Sequence, residues 1–475
     1  MKRSIYNIII ENKDYNNWLL FNSRICSLLE IDEHVKKYLE GDFNFQENNY
    51  QEAQQLNEED KTALYESGIL VDDDFDELTD VMGLDKKGYD LYENIENYLN
   101  LTICPTYGCN MRCSYCYESF YKDSKNYGMM NEEVQQDIIN LYTNHCVKNK
   151  HKSDNIIADT ISWYGGEPLL NLKVINNVQG QINKIQKQFN RKLKRSITTN
   201  GILLNSKSLR VLKDNEINDI QVTIDGPPVI HNKRRYYPKD PTKSFDIILN
   251  NLAIIDDYFK ITIRVNVDKE NYKYLDNTLE ELVTRKIWPR KNITLYTANI
   301  KCHTLNNVNY SMEQNMFAKI KREFRLKKLE TYNLLTNGNA KFKLIFPTRK
   351  KDGCITAIGK NAYVIGPQGD IYKCWSNVGS EKYSVGNISE IIEGDNFSNK
   401  YSFNITSELR NKLGCYSCKI LPICSISCPE SYIREGTINH DFLCSKWKFI
   451  LEDTLLFNYN LQKKHPELVA PAKKV

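Results

Sequence analysis

The segment Cys109-Asn110-Met111-Arg112-Cys113-Ser114-Tyr115-Cys116 places three cysteines close together, directly after the short β-rich run Leu101–Cys104. Three thiolates at the spacing CxxxCxxC on one loop can bind three irons of a cubane cluster and leave the fourth iron open. A zinc site is the alternative, although zinc loops usually pair two CxxC elements or use His, and no His lies nearby in the sequence. Cys104 is predicted to be a buried small hydrophobic residue on the strand.

The whole chain has 475 residues, enough for two or three domains, and 11% aromatic content argues against disorder. The formal net charge is only +4, and Lys and Arg are spread along the chain instead of forming a basic stripe. Nucleic-acid binding is therefore not predicted. No signal peptide and no apolar run of about 20 residues is found, which predicts a cytoplasmic protein without a membrane partner. The 14 cysteines are then expected to serve metal or catalytic roles rather than disulfides.

Between Leu99 and Ile300, β-rich runs alternate with helical patterns, which predicts an α/β fold with parallel strands as a barrel or an open sheet. Loops at the carboxyl ends of such strands build active sites. The predicted strands are Leu101–Cys104, Thr160–Tyr164, Arg195–Thr199, Ile220–Ile224, Ile261–Val267 and Ile293–Tyr296.

Three polar segments follow successive strands. They are Gly165-Gly166-Glu167-Pro168, Thr198-Thr199-Asn200-Gly201 and Thr223-Ile224-Asp225-Gly226-Pro227, the last with His231 and Arg235 beyond it. Together with the cysteine loop, these segments resemble the radical S-adenosylmethionine (SAM) superfamily.

The resemblance implies SAM as cofactor. Tyr115 would lie against its adenine, Glu167 would accept a hydrogen bond from its ammonium, and Thr223 would contact its ribose. Residues that the resemblance places at the cofactor are Tyr115, Gly165, Gly166, Glu167, Pro168, Thr199, Asn200 and Thr223. Strand-end capping is the alternative for the Thr and Asn residues.

Arg264 and Asn266 are polar residues inside an apolar strand, and the alternation of side chains puts both on one face, taken as the barrel interior. Arg264 could meet the carboxylate of the cofactor or of a substrate, and an internal salt bridge is the alternative.

A second group of cysteines follows Gly353: Cys354, Cys374, Cys415, Cys418, Cys424, Cys428 and Cys444. Their spacing resembles the SPASM extension of radical SAM enzymes, which implies two auxiliary [4Fe–4S] clusters and three in all. By that resemblance Cys354, Cys374 and Cys428 ligate the first, which keeps an open iron unless Cys302 joins it. The second would then use Cys415, Cys418, Cys424 and Cys444. Zinc is again the alternative.

The resemblance thus predicts a partial (β/α)6 barrel, a winged-helix-like α+β N-terminal domain and a SPASM domain. The expected domains are an N-terminal peptide-recognition domain at 1–95, a barrel at 96–300, a bridge at 301–350 and a SPASM domain at 351–475. The domain order is similar to that of maturases that modify ribosomally made precursor peptides. These bind a leader peptide through the N-terminal domain, by β-augmentation, and take electrons from a flavodoxin- or ferredoxin-type donor.

A thioether crosslink is the expected product, and a carbon–carbon or other crosslink is an alternative. Sulfatase-maturing enzymes, which make formylglycine, are a further alternative, but they carry an Asp after the cysteine matched by Cys374, where this chain has Trp375. A non-enzymatic iron–sulfur or zinc-binding module is the alternative from a different class. No catalytic acid or base is assigned.

Overall fold

The computed structural model describes ten parts of the chain: 1–41, 56–94, 97–116, 128–150, 158–300, 312–349, 354–392, 407–424, 428 and 440–471. Two compact units emerge. Unit 1 comprises Met1–Tyr92, Asn339–Gly353 and Asn404–Val475, and unit 2 comprises Glu93–Gly338 and Cys354–Phe403. The segments predicted as a bridge and as a SPASM domain therefore each contribute to both units, and their assignment as functional domains stays a prediction.

The N-terminal part of unit 1 is an α+β arrangement, as predicted. Its strands are β1 (Lys2–Arg3), β2 (Asn7–Asn12), β3 (Asn17–Asn22), β4 (Ser27–Ile31) and β5 (Leu70–Val71), and its helices are α1 (Glu33–Glu40), α2 (Glu58–Glu66) and α3 (Glu77–Asn94). Strands β2, β3 and β4 form an antiparallel sheet, and β1 pairs with β5. Leu20, Ile31 and Ile69 pack in one buried cluster, which joins the sheet to the chain after α2.

Unit 2 begins with six strands that pair in chain order, all parallel: β6 (Asn100–Ile103), β8 (Asp159–Trp163), β9 (Leu193–Thr199), β10 (Asp219–Ile224), β12 (Lys260–Val267) and β13 (Ile293–Asn299). Two short strands, β7 (Arg112–Cys113) and β11 (Arg235–Tyr236), pair separately. The predicted six-stranded α/β arrangement is confirmed, and it brings the carboxyl ends of all six strands to one edge.

Helices run between these strands, and one lies where a polar bridge was predicted. They are α4 (Glu132–Lys148), α5 (Leu172–Gln188), α6 (Ser206–Asp214), α7 (Pro228–Arg234), α8 (Ser244–Ala253), α9 (Leu275–Thr284) and α10 (Gln314–Thr336). Residues 314–336, within the segment 301–350 that was predicted as a polar bridge, form a 23-residue helix of unit 2. Ile320 and Phe324 are buried on this helix, and apolar side chains at this spacing share one helix face.

After Cys354 the chain extends the same sheet beyond β6. Short helix α11 (Ile355–Ile358) leads into β14 (Ala362–Ile365), which pairs in parallel with β6. Strands β15 (Asp370–Tyr372) and β16 (Gly386–Asn387) follow antiparallel, and helix α12 (Ile388–Ile392) comes last. The C-terminal helices of unit 1 are α13 (Ser407–Lys412), α14 (His440–Leu443) and α15 (Trp447–Lys464).

Strand β12 shows why the sheet has an apolar face and a polar face. Ile261, Ile263 and Val265 are buried, whereas Arg264 points to the other side of the strand. Among the described residues, no helix combines the length and the apolar character needed to cross a bilayer.

Candidate functional site

The three cysteines of the first loop line one cavity of about 530 Å³ at the carboxyl edge of the parallel strands. The loop is held by protein groups: β7 pairs with β11, so that Cys113 lies opposite Arg235, and the Ser114 amide donates to the Arg234 carbonyl. The Arg112 guanidinium donates to the Cys109 carbonyl at 2.8 Å. The protein therefore fixes the backbone between the thiols through its own contacts.

Gly165 and Gly166 hold the beginning of that loop, and each needs to be a glycine. A Cβ at Gly166 would lie 2.3 Å from the Gly108 carbonyl oxygen, and Gly165 has a φ of +108°. The Glu167 amide donates to the same Gly108 carbonyl at 2.9 Å. Close backbone contact between the two turns is possible only without side chains. Both glycines line the cavity, and their contact with a cofactor stays a prediction.

Glu167 meets protein donors in this structure, and its expected contact with the cofactor stays a prediction. The carboxylate is fully buried, is not among the cavity-lining residues, and accepts from Leu169 N, Thr199 Oγ1 and Asn200 N at 3.0, 2.7 and 2.8 Å. Burial raises the pKa of Glu167, and these hydrogen bonds oppose that rise. In this structure Glu167 therefore joins the ends of β8 and β9. Pro168 is buried at the start of a single 3-10 turn behind it.

Asn200 connects the third strand to the cysteine loop. Its side-chain amide donates to Asn110 Oδ1 at 2.7 Å and lies 3.8 Å from Cys109 Sγ. Thr199 accepts from the Gly201 amide, which is the strand-end capping foreseen as the alternative. Thr199, Asn200 and Thr223 nevertheless line the cavity, so contact with a cofactor stays a prediction for all three.

A polar cluster at the far side of the loop is centred on Tyr115. The Tyr115 hydroxyl accepts from Arg235 Nη1 at 2.9 Å and from Asn266 Nδ2 at 3.0 Å. Asn266 in turn accepts from Arg264 Nε at 2.8 Å. Tyr115, Arg235, Arg264 and Asn266 all line the cavity, so the expectation that Arg264 and Asn266 share an inward face is confirmed.

Two buried titratable residues, Asp225 and His231, follow strand β10 near this cluster. Burial raises the pKa of Asp225, and Arg235 and Arg234 oppose that rise. His231 is fully buried, and burial, followed by the same two arginines, holds its pKa well below the ordinary value. Its Nδ1 accepts from the Asp225 amide at 3.3 Å. His231 therefore stays neutral and supports the turn after β10.

The thiols can hold a cluster of the predicted kind. Burial, then the nearby Glu167 carboxylate, raise the pKa of Cys109 to about 12, with Cys113 and Cys116 adding to the rise. Three neighbouring thiols that face one cavity are the donor set that a site-differentiated cubane requires, and metal binding displaces their protons. The donor types present are those of a [4Fe–4S] cluster with one open iron, and the assignment of the three cysteines as its ligands stays a prediction.

Aromatic residues form another wall of the cavity. Trp375 is 42% exposed and its ring lies 5.2 Å from that of Tyr164, tilted by 42°. Arg235, Arg264 and Lys321 are the cations of the described lining, which contains no Asp or Glu. The cavity therefore combines thiols, aromatic surface and positive charge.

Sequence reasoning missed the residues that β13 and α10 contribute. Tyr296, Asn299, Gln314, Phe317 and Lys321 all line the cavity. The signal was the spacing of Phe317, Ile320 and Phe324, which is typical of a helix with one buried face. The composition of 301–350 obscured it, because Lys and Asn dominate the segment.

The second group of cysteines is divided between the units. Cys415, Cys418, Cys424 and Cys444 lie in unit 1, where burial, and then Cys415, Cys444 and Cys418, raise the pKa of Cys424 to about 12. The Cys424 thiol is therefore near enough to Cys415, Cys444 and Cys418 for their charges to influence its pKa. Cys428 is in unit 1 as well.

Cys354 and Cys374 belong to unit 2, where Cys354 is exposed and Cys374 Sγ lies 3.0 Å from Ser376 Oγ. Cys302 lies outside the described residues. Cys104 is buried, as predicted, and Cys146 is buried as well. The ligand sets of both auxiliary clusters stay predictions.

Comparison with known proteins bears on the identity of unit 2. The Radical SAM superfamily profile matches residues 103–282. A cysteine-type anaerobic sulfatase-maturating enzyme of Clostridium perfringens is 23% identical over 405 residues, which cover 74% of this chain and 95% of the relative. The radical SAM cyclopropyl synthase TigE of Paramaledivibacter caminithermalis is 22% identical over 281 residues, covering 56% of this chain and 57% of the relative.

Among solved structures, native anSMEcpe with bound AdoMet matches with a TM-score of 0.54 and 19% identity, covering 76% of this chain and 100% of that one. The same protein with AdoMet and the Kp18Cys peptide also matches with a TM-score of 0.54. The chain carries a radical SAM domain and is an enzyme that uses SAM. The alternative of a non-enzymatic module is thereby removed.

Proposed function

We propose that this radical SAM enzyme is a peptide maturase that joins a cysteine sulfur to a carbon of a ribosomally made precursor peptide. The cluster and SAM, when bound, supply a 5′-deoxyadenosyl radical that removes one hydrogen atom from a substrate carbon. The similarity of this chain to the structure of native anSMEcpe with bound AdoMet and the Kp18Cys peptide supports the proposal. A cavity of about 530 Å³ is suited to one side chain beside the cofactor.

The observation that carries the proposal is the wall formed by Trp375. An aldehyde product requires that water replace the sulfur, and proton transfers of that kind are normally served by a carboxylate or His. Trp375 stands where the sulfatase-maturing pattern has Asp, and the described lining of the cavity contains no Asp or Glu. An apolar wall without a carboxylate favours bond formation within the peptide over reaction with water.

A thioether balances without a protein base. One hydrogen atom would leave the carbon with 5′-deoxyadenosine, and one proton would leave the thiol for solvent. An auxiliary cluster held by the second group of cysteines would accept the remaining electron, and an open iron in it would favour the thiolate form of the substrate. A flavodoxin- or ferredoxin-type partner would supply the electron that starts each cycle.

Leader binding is assigned to unit 1. Strand β4 is an outer strand of the antiparallel β2–β3–β4 sheet, and an outer strand can accept an extended peptide as a further strand. The same sheet also has an architectural role, because Asn12 donates to Asn460 Oδ1 on α15 at 3.0 Å and Tyr15 packs edge-on against Tyr459.

Formylglycine formation is the second candidate, because the sulfatase-maturating relative is matched over 95% of its length. A carbon–carbon crosslink is a variant of the first candidate that would leave the thiol unused. The three products differ in composition, so that one experiment separates them.

The test is to co-express the enzyme anaerobically with the small open reading frame beside its gene and to measure the peptide mass. A thioether gives the loss of two hydrogens and one thiol that no longer reacts with iodoacetamide. An aldehyde that reacts with a hydrazide would assign sulfatase-type maturation instead, and loss of two hydrogens with every thiol still reactive would assign the carbon–carbon product.

Replacing the aromatic wall sharpens the comparison. Trp375→Asp places a carboxylate in the cavity and removes the contact with Tyr164, whereas Trp375→Phe keeps an aromatic ring. We expect crosslinking to fall strongly in Trp375→Asp and to persist in Trp375→Phe. Equal crosslinking in both variants would show that the wall does not direct the reaction.

A further inference from the structure

Helix α10 has an unusual distribution of charge around its axis. At 100° per residue, Lys321, Arg325 and Lys328 fall on one face, and Glu323 and Glu330 fall on the opposite face. Both glutamates are exposed, whereas the three cations are half-buried. Surface helices normally direct their charges outward, so cations on the inner face require an explanation.

The cationic face is the one that packs on the sheet. Phe317 and Lys321 line the cavity, Phe324 is buried, and Lys328 Nζ donates to the Leu295 carbonyl on β13 at 2.7 Å. Lys328 is thus occupied by a backbone acceptor away from the cavity. Lys321, whose ammonium lies 6.0 Å from the Phe317 ring centroid, is the cation that α10 presents to the cavity.

This placement costs free energy, because a cation that leaves water without a counter-charge is disfavoured. Burial first, and Arg325 second, hold the pKa of Lys321 below its ordinary value, and Lys328 shows the same direction from the same causes. Among the described residues, no carboxylate contributes to either shift.

The other two cations of the cavity are already accounted for. Arg235 donates to Tyr115, and Arg264 is hydrogen-bonded to Asn266 beside it, where the sequence predicts contact with the cofactor carboxylate. Among the residues that the structure describes, no Asp or Glu lines the cavity, so no described carboxylate is placed to balance Lys321.

We propose that Lys321 binds a carboxylate of the peptide substrate, so that the segment entering the cavity carries Asp or Glu beside the residue that is modified. The inference rests on the proposed function and names its substrate class as an acidic peptide. Arg325, one turn further along the same face, strengthens the positive potential at Lys321.

The test uses the reconstituted holoenzyme with SAM and three fluorescein-labelled peptides of the form Gly-Ser-Xaa-Cys-Xaa-Ser-Gly, in which Xaa is Asp, Asn or Lys. Fluorescence anisotropy at low salt should show that the Asp peptide binds about tenfold more tightly than the Asn peptide, as expected for one charge-assisted hydrogen bond. Lys321→Gln should reduce that ratio to about one, and Lys321→Glu should favour the Lys peptide.

Lys319→Gln is the matched control. Lys319 is exposed and lies on the side of the helix opposite Lys321, about 200° away around the axis. The substitution Lys319→Gln therefore removes the same charge as Lys321→Gln without changing the cavity. It should preserve the preference for the Asp peptide. The dissociation constant for SAM is measured in parallel for each variant by equilibrium dialysis.

Two results would overturn the inference: equal binding of the Asp and Asn peptides by the wild-type enzyme, or a Lys321→Gln variant that loses SAM affinity and keeps the peptide preference. These outcomes are separable from failure of the proposed function. A precursor that is crosslinked by an enzyme without acidic preference sinks only this inference, and an unmodified precursor sinks the proposed function whatever the anisotropy shows.

Discussion

Arg235 and Cys113 lie opposite each other in the β7–β11 pair, and the Arg235 guanidinium reaches back to the Tyr115 hydroxyl at 2.9 Å. One residue therefore holds the cysteine loop twice, through its backbone and through its side chain. The second donor to Tyr115 is Asn266 on β12. The orientation of the Tyr115 ring is fixed from two strands, which is what an aromatic residue needs if it is to pack on an adenine.

Replacing Tyr115 with Phe should weaken SAM binding about fivefold while iron content stays near the wild-type value. The change keeps the ring but leaves the Arg235 and Asn266 donors without their acceptor, and one net hydrogen bond corresponds to about 1 kcal/mol. Equilibrium dialysis with labelled SAM measures the effect, and Tyr258→Phe, at an exposed tyrosine, serves as the control. A double variant that also carries Arg235→Gln should bind SAM no more weakly than the weaker of the two single variants. Strictly additive losses of SAM affinity would instead mean that the two residues act independently.

Removing the loop thiols together, as Cys109→Ala/Cys113→Ala/Cys116→Ala, should lower the iron content from about twelve to about eight per chain, because each cubane cluster holds about four irons. Formation of 5′-deoxyadenosine should disappear at the same time. Cys146→Ala, which changes a buried thiol of the core, should retain all of the iron. Stoichiometric zinc in place of iron after anaerobic reconstitution would contradict the cluster assignment.

A single change in unit 1, Cys424→Ala, should remove about four irons and leave SAM cleavage measurable, because its thiol neighbours are Cys415, Cys418 and Cys444. Combined with the triple loop variant, it should leave about four irons in total. The control is Cys104→Ala, a buried thiol on the first strand of unit 2. Iron loss that is no greater than in this control would remove Cys424 from the ligand set.

The buried carboxylate of Glu167 should be needed for stability of the apoprotein. Glu167→Gln offers an amide N–H to one of the three donors that now face a carboxylate, so we expect a loss of about 3 kcal/mol in the free energy of unfolding of unit 2. Urea unfolding followed by tryptophan fluorescence measures this free energy of unfolding. Glu216→Gln, at a more exposed ion pair with Lys187, should change the free energy of unfolding little. Equal losses in the two variants would show that the hydrogen bonds of Glu167 do not contribute more to stability than an exposed ion pair.

Asp159 should give the fold a pH dependence. Burial tends to raise its pKa, but hydrogen bonds from Arg191 and His145 outweigh burial and hold the pKa below the ordinary 3.8. Its stabilisation is therefore present above pH 3.8 and is lost as the pH falls through the lower folded-state value. At neutral pH, Asp159→Asn should cost about 3–5 kcal/mol, as for a broken buried ion pair.

Thermal unfolding of wild type and Asp159→Asn, compared at neutral pH and in strong acid, checks this expectation. The difference between their midpoints should shrink in acid, while Asp256→Asn, at an exposed ion pair with Lys213, should stay close to wild type at both pH values. A difference that is the same at both values would show that the carboxylate stays ionised or contributes nothing through its charge.

Local patterns predicted most of unit 2. The alternation in Ile261–Val267 indicated the strand and the inward face of Arg264, and the cysteine spacing indicated the loop that lines the cavity. Pairing over long sequence distance was not visible: β14 lies beside β6 although more than 250 residues separate them in the sequence. The motif indicated Glu167, but the protein donors that it meets, Thr199 and Asn200, could not be read from the sequence. Lys321 was overlooked because a polar composition hides the face on which a charge lies.

The hydrogen bonds that shape the Cys109 loop come from Gly108, Asn200 and the β7–β11 pair, which are all groups of the protein itself. We therefore expect oxygen damage to this cluster to be repairable in place: a chain stripped of metal by air should accept new iron and sulfide without passing through an unfolded state. Amide hydrogen exchange over 106–115 should then be nearly as slow in the air-exposed chain as in the reloaded one, so that the cell can restore the enzyme rather than replace it.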